Sequence, residues 1–206
     1  MAKSGSSKRW LRRHLTDPYV RRAHAQGYRS RAAFKLLDIA VRDRLLGPGT
    51  KVLDLGAAPG GWSQVAAQKV RPGGRVVAVD LLEIAPISGV TVVRGDFLDA
   101  SVRRRLREAL RGPADVVLCD LSPNLSGIAS VDQARAAQLA MQAIEFCKEA
   151  LNPEGALLVK VFQGEAFGEL LAAMKRSFRS VAVRKPPASR GESRETYLLG
   201  RGLKTS

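Results

Sequence analysis

From about residue 50 onward, short apolar runs alternate with longer amphipathic stretches. KVLDL (51–55), RVVAVD (75–80), VTVVRG (90–95), ADVVLCD (114–120) and GALLVKVF (155–162) are nearly unbroken apolar runs. That is the pattern of strands buried on both faces. Helical stretches separate them: GWSQVAAQKV (61–70), residues 99–111 capped by Asp99, residues 131 to 151, and residues 165–177. The long helix opens on Ser130-Val131-Asp132-Gln133, a capping-box pattern. Ahead of the first strand, Ser30 opens a helical stretch, RAAFKLLDIAVRDRLL, which Gly47-Pro48-Gly49 stops. After the last helix come a strand (179–184), a polar Pro-rich loop (185–194) and a final strand, ETYLLG (195–200).

Strands alternating with helices predict an α/β fold, a parallel sheet with helices on both faces. The ending departs from that rule. The loop between the last two strands is too short for a helical crossover, so the last strand should run antiparallel to its predecessor. The prediction is therefore a mixed seven-stranded sheet. Residues 1–27 lack a strong period and read as a basic, partly flexible arm; residues 28–206 read as one domain.

Composition narrows the class. A hydrophobic content of 45% over 206 residues supports a real core. No apolar run approaches the ~18 residues of a membrane span, and the start, MAKSGSSKRW, lacks the pattern of a secretory signal. The two cysteines, Cys119 and Cys147, are too few for a disulfide framework and point to the reducing cytoplasm. With two histidines they show no metal-ligand spacing, so no metal site is expected. Nothing suggests a dimer seam, and a monomer is the expectation.

Charge changes the picture more. The net charge is +15, and residues 1–31 carry nine Lys/Arg against one acid, Asp17. A polyanion explains such clustering, because each phosphate neutralised releases counterions. A solvated tail is the bland alternative. A membrane surface fits less well, since the segment has no clean amphipathic stripe. Trp10 and Tyr19 stand among the basic residues, where they could stack on bases. The loop 184–190, with Arg184, Lys185 and Arg190, is a second RNA candidate; Arg103, Arg104, Arg105 and Arg107 read as a solvated helix face.

The turn after the first strand, DLGAAPGGWSQ (54–64), is glycine-rich and falls where open α/β sheets bind ligands. It is not the dinucleotide fingerprint, and Pro59 removes a backbone donor that a pyrophosphate would want. Asp54, Asp80, Asp96 and Asp120 all fall at or just after predicted strand ends. Four carboxylates would repel a pyrophosphate. They suit a cofactor with a sulfonium, an ammonium and ribose hydroxyls, which is S-adenosylmethionine. Asp80 is placed for the ribose, Asp96 for the adenine amino group, and Gly60 and Trp62 for the methionine end.

The sequence after the fourth strand, Asp120-Leu121-Ser122-Pro123-Asn124, lacks the aromatic that amine methylation of a flipped base would use. Lys160, set inside an apolar strand, is the unusual residue, because lysine is rarely buried without a partner. Asp120 on the neighbouring strand would supply one; a snorkelling edge lysine is the alternative. A hydroxyl acceptor needs such a group, either to take its proton or to hold the developing alkoxide. Lys35 is a candidate second cation.

The segments DLGAAPGGWSQ (54–64), DLSPNLSG (120–127), VKVFQG (159–164), SRAAFK (30–35) and SRE (193–195) resemble the FtsJ/RrmJ family of ribose 2′-O-methyltransferases, in the family's order and over about residues 27–201. The resemblance implies a Rossmann-like class I methyltransferase fold and a catalytic tetrad of Lys35, Asp120, Lys160 and Glu195, with Lys160 central. It implies cofactor contacts at Gly60, Trp62, Asp80, Asp96 and Asp120. It further implies a uridine of large-subunit (23S) ribosomal RNA as target, on the assembled 50S subunit. Ser122 departs from the small or apolar residue expected before Pro123. An RNA-binding assembly factor on the same fold, a tRNA 2′-O-methyltransferase and a small-molecule O-methyltransferase are the competing readings.

Overall fold

The computed structural model describes residues 17–123, 126–189 and 193–204. In chain order the elements are α1 (Pro18–Ala25), α2 (Ala32–Arg42), β1 (Lys51–Leu55), α3 (Gly61–Lys69), β2 (Arg75–Asp80), β3 (Val90–Arg94) and α4 (Ala100–Leu110). They continue with β4 (Ala114–Cys119), α5 (Ala129–Ala150), β5 (Leu151–Phe162), α6 (Phe167–Ser177), β6 (Phe178–Arg184) and β7 (Glu195–Leu203). One sheet holds all seven strands in the order β3-β2-β1-β4-β5-β7-β6. The first five run parallel to one another. β7 runs antiparallel to both β5 and β6, so it enters the sheet between two strands that precede it in sequence.

Alternation along each strand divides the core. Leu53, Val77, Val117, Leu157 and Leu198 face one side, where α4, α5 and α6 cover them. Val52, Val76, Leu118, Leu158 and Tyr197 face the other, under α2 and α3. Helices on both faces of a mixed seven-stranded sheet were expected, and the fold has them. Reversal of the order at β1 and β4 opens a crevice at the strand C-termini, where such folds bind ligands.

Several local expectations change. The stretch 1–27 contains a described helix, α1, capped by the Asp17 side chain accepting from the Tyr19 N–H at 3.0 Å. Ala23 and Tyr19 of this helix join Phe34 of α2 and Ala188 in a small apolar cluster, which holds the helix on the domain. Trp10, also a stacking candidate, lies outside the described residues, as do Asn124 and Arg190. Helix α2 stops at Arg42, before the Gly-Pro-Gly signal, because Arg44 turns to a positive φ of 48°. Helix α5 starts at Ala129 rather than on a Ser130 cap. Asp132 instead reaches back and accepts from the Ser126 N–H and hydroxyl, both at 2.7 Å. The Asp99 cap on α4 forms as expected, accepting from the Ser101 N–H at 2.9 Å.

Candidate active site

The ends of β2 and β3 build one wall of the crevice. Asp80 closes β2 and accepts two backbone N–H bonds, from Ala58 at 2.9 Å and Leu82 at 2.8 Å. It therefore binds the glycine-rich turn to the loop that follows β2. Asp96 follows β3 and accepts from the Leu98 N–H at 2.9 Å. Gly56 has a φ of +72°, and a Cβ there would overlap the Leu121 side chain, so only glycine lets the loop after β4 close over this turn. The resulting cleft, about 540 Å³, is lined by Asp80, Leu82, Asp96, Asp120, Ser122 and Lys160 among others.

Asp54 stands apart from the other three acids. It is 1% exposed, is not among the residues lining the cleft, and receives the Ser63 hydroxyl at 2.6 Å. Its other oxygen, Oδ1, has no partner. Burial pushes its pKa up to about 7, the Ser63 bond opposes that, and the charges of Asp120 and Asp80 add to the rise.

The opposite wall gathers the four residues of the implied tetrad. Lys160 ends the alternating row Ala156, Leu158, Lys160 on the α2/α3 face of β5, so its stem is buried while its tip emerges at the strand end. It is 7% exposed. Its ammonium donates to the Asp120 backbone carbonyl at 2.8 Å and to the Ser122 hydroxyl, and lies 3.3 Å from Asp120 Oδ1. Lys35 pairs not with Asp120, the carboxylate that Lys160 faces, but with Glu195: its ammonium meets Oε1 at 2.6 Å. Each cation thus faces its own acid.

Tyr197 joins the two pairs, and sequence reasoning missed it. In the β5/β7 register Lys160 lies opposite Tyr197 and Phe162 opposite Glu195. Directly opposed residues, and residues two apart on one strand, share a face. The Tyr197 hydroxyl is therefore set between Asp120 Oδ1 at 3.0 Å and Glu195 Oε1 at 3.1 Å. It has one proton and donates to one carboxylate at a time. Burial, then the two negative neighbours, raises its pKa well above the ordinary phenol value. Ser189 adds a third donor to Glu195 Oε1, at 3.1 Å, after Lys35 and Tyr197. The only signal of Tyr197 in sequence is the Glu-x-Tyr spacing, which means nothing until β7 is known to adjoin β5.

Gly60 and Trp62 are absent from the cleft lining among the described residues. Gly60 caps α3 with φ +110° and packs against Ile87 and Arg29. Trp62 is 3% exposed, donates its indole N–H to the Ala32 carbonyl at 2.8 Å and packs on the Tyr197 ring at 5.6 Å. Through those contacts it seats α2, and with it Lys35, against β7.

Several basic residues that the sequence offers for RNA are already engaged. Arg31 bonds the Asp17 carboxylate and the Ala188 carbonyl, tying α1 to the loop after β6. Arg184 makes a bidentate pair with Asp43, whose pKa it lowers mainly by that hydrogen bond. Tyr19 packs against Phe34 at 5.7 Å. On α4, Arg103 pairs with Glu149 and Arg107 donates to the Glu149 carbonyl at 3.1 Å, so that helix face is partly tied to the end of α5.

A sheet of this order, with an acid-lined crevice at the strand ends and a buried lysine at its edge, defines a Rossmann-like methyltransferase. Residues 28–203 match the FtsJ-like methyltransferase family, and the chain belongs to that family. It is 56% identical over 203 residues to the ribosomal RNA large subunit methyltransferase E of Nitrosospira multiformis, covering 98% of both chains. The protein of that name from Azoarcus sp. is 53% identical over 205 residues, covering 99% of this chain and 100% of that one. A solved ribosomal RNA methyltransferase from Plasmodium falciparum superposes with a TM-score of 0.76 at 26% identity, covering 85% of this chain and 98% of that one.

Proposed function

We propose that this enzyme moves a methyl group from S-adenosylmethionine to the ribose 2′-hydroxyl of a uridine in large-subunit (23S) ribosomal RNA, acting on the assembled 50S subunit. The observation that carries the reading is the Lys160 ammonium, buried at the edge of an acid-lined cleft and bonded to Asp120 and Ser122. Support for the substrate comes from the names of the relatives, which cover nearly the whole chain.

The residues fit the donor. Three carboxylates, Asp80, Asp96 and Asp120, line the cleft, a set that suits cations and hydroxyls rather than phosphates. In this reading Asp80 takes the ribose of the cofactor, Asp96 the adenine end and Asp120 the methionine end. Gly60 and Trp62 shape the turn behind it. When bound, the sulfonium supplies an electrophilic methyl.

The acceptor hydroxyl is a weak nucleophile and sheds its proton as the new bond forms. Lys160 has three oxygen partners: the Asp120 carbonyl, Asp120 Oδ1 and Ser122 Oγ. Two of these, the Asp120 carbonyl and Oδ1, only accept, whereas the Ser122 hydroxyl can accept from an ammonium or donate to a neutral amine. In this reading Lys160, 3.3 Å from Asp120 Oδ1, acts as a fixed positive charge that stabilises the developing alkoxide, and the proton leaves to Asp120 or to water. Lys35 and Glu195, joined to Asp120 through Tyr197, hold the second side of the acceptor position.

We assign the RNA side to the arm at 1–27 and the loop 185–194; among the described residues, Arg31 bonds Asp17 of the first and Ala188 of the second. The enzyme works as a cytoplasmic monomer, which suits two buried free thiols and the absence, among the described residues, of a helix able to cross a membrane.

The test uses undermethylated large subunits, free ribosomal RNA and tRNA, each incubated with labelled S-adenosylmethionine and then hydrolysed in alkali. A 2′-O-methyl blocks cleavage and leaves a labelled dinucleotide carrying a 5′ uridine, expected from the subunits above all. Label in mononucleotides would mean a base methyl, and label from tRNA alone would move the substrate. No RNA label from any substrate would leave the assembly-factor reading.

A further inference from the structure

Arg29 is counted in the basic cluster of residues 1–31, yet its guanidinium folds back onto the domain and is engaged there by exposed hydrogen bonds. Nη1 donates to the Pro59 carbonyl at 3.1 Å and the Ala85 carbonyl at 2.6 Å, and Nη2 donates to the Pro86 carbonyl at 2.7 Å. Pro59 belongs to the glycine-rich turn after β1, and Ala85 and Pro86 belong to the loop after β2. Those two segments also supply Ala58, Leu81 and Leu82 to the lining of the cleft. Asp80 joins the same segments on the cleft side by its bonds to the Ala58 and Leu82 N–H groups. Beneath them Ala57, Ile84 and Ile87 form a small apolar cluster of their own.

The corner is thus held at two points with opposite chemistry. Inside, a carboxylate collects N–H groups; outside, a guanidinium collects carbonyls. The segment that carries Arg29 is itself fastened to α3. The Arg29 N–H donates to Gln64 Oε1 at 2.8 Å, Gln64 Nε2 donates to the Gly27 carbonyl at 3.0 Å, and the Tyr28 hydroxyl donates to Gln68 at 3.0 Å. Gly60, with φ +110°, leaves room for this approach, since a Cβ there would lie 3.1 Å from Arg29 Nη1.

We propose that Arg29 is a positioning residue for the methyl donor: it clamps the two loops of the cofactor corner from behind instead of binding RNA phosphate. The proposal rests on the S-adenosylmethionine reading above. Charge-assisted bonds to carbonyls are the stronger kind, and losing them loosens loops that the cofactor must then order at its own expense.

The experiment compares the native chain with Arg29→Met, which keeps the apolar stem, and Arg29→Lys, which keeps the charge but loses the fork. Binding of S-adenosylhomocysteine is read by titration calorimetry, melting is read without ligand, and RNA affinity is read across a salt series. For Arg29→Met the expected result is about tenfold weaker ligand binding, an unchanged salt slope for RNA, and a raised KM for the donor with kcat nearly kept. Arg29→Lys should recover part of the ligand affinity. Ligand affinity unchanged while the RNA salt slope drops would overturn the proposal and make Arg29 a phosphate contact. An affinity loss matched by a large fall in melting temperature, with no recovery in Arg29→Lys, would also overturn it, by showing a general structural role. Failure of the native chain to bind the ligand would instead refute the cofactor reading on which the proposal stands.

Discussion

The two walls of the cleft are built by different means. On the β1–β3 side, carboxylates are spent on nearby backbone: Asp80 on Ala58 and Leu82, Asp96 on Leu98. On the β4–β7 side, side chains bind side chains from distant parts of the chain, with Lys160, Asp120, Tyr197, Glu195 and Lys35 linked across α2, β5, β7 and the loop after β4. The first wall is a shape held by local turns and tolerant of single losses. The second is a network, in which removing one member leaves another buried group unpaired. In the function proposed above, the first wall would serve the methyl donor, which needs shape and negative charge, and the second the acceptor, which needs one oxygen placed and one charge aimed.

The sharpest way to break this contrast is Lys160→Met. It should lower turnover by ~10³-fold or more, while S-adenosylhomocysteine binding stays within a few-fold of native. Parallel loss of both would show that the two walls are a single unit. Next in size is a pH effect centred on Asp54. Its folded-state pKa of about 7 lies above the ordinary value of 3.8, so the folded protein holds a proton that the unfolded chain releases. Stability is therefore fully present at low pH and is lost as pH rises from 3.8 through about 7. At ~1.36 kcal/mol per pKa unit the loss is about 4 kcal/mol. Urea denaturation of the ligand-free protein should show this slope, and Asp54→Asn should flatten it; an equal slope in the variant would assign the effect elsewhere. The smallest effect is Tyr197→Phe, expected to cost about tenfold in kcat. Combined with Glu195→Gln it should cost less than the product of the two separate losses. Strict additivity would mean the hydroxyl does not link the two carboxylates.

What the sequence made legible follows the same division. The strands, the helices on both faces, the Asp99 cap and the acids at the strand ends could be read because each depends on residues a few positions apart. The antiparallel ending was legible too, since ten residues cannot carry a helix across a sheet. The seat of β7 between β5 and β6 was not, and neither was Tyr197, whose partners lie 77 residues away and two residues away on opposite sides of one proton. Lys160 was half legible: its misfit in an apolar strand marked it, but only the neighbouring loop shows that Ser122 is a partner and not merely a departure from a motif. The basic stretch misled in another way. Composition counts charges, and it does not tell that Arg29 and Arg31 face backbone carbonyls.

The place of β7 bears on how the molecule is made. β6 pairs with β7 and not with β5, so after residue 184 has been synthesised β6 still has no seat in the sheet. Until residues 195–203 arrive, β5 presents an unpaired edge carrying Lys160, with Glu195 and Tyr197 not yet present to meet it. A nascent chain can thus assemble the β1–β3 half well before the β5–β7 half, and in that interval the open edge is the point at which it is most exposed to pairing with the wrong strand.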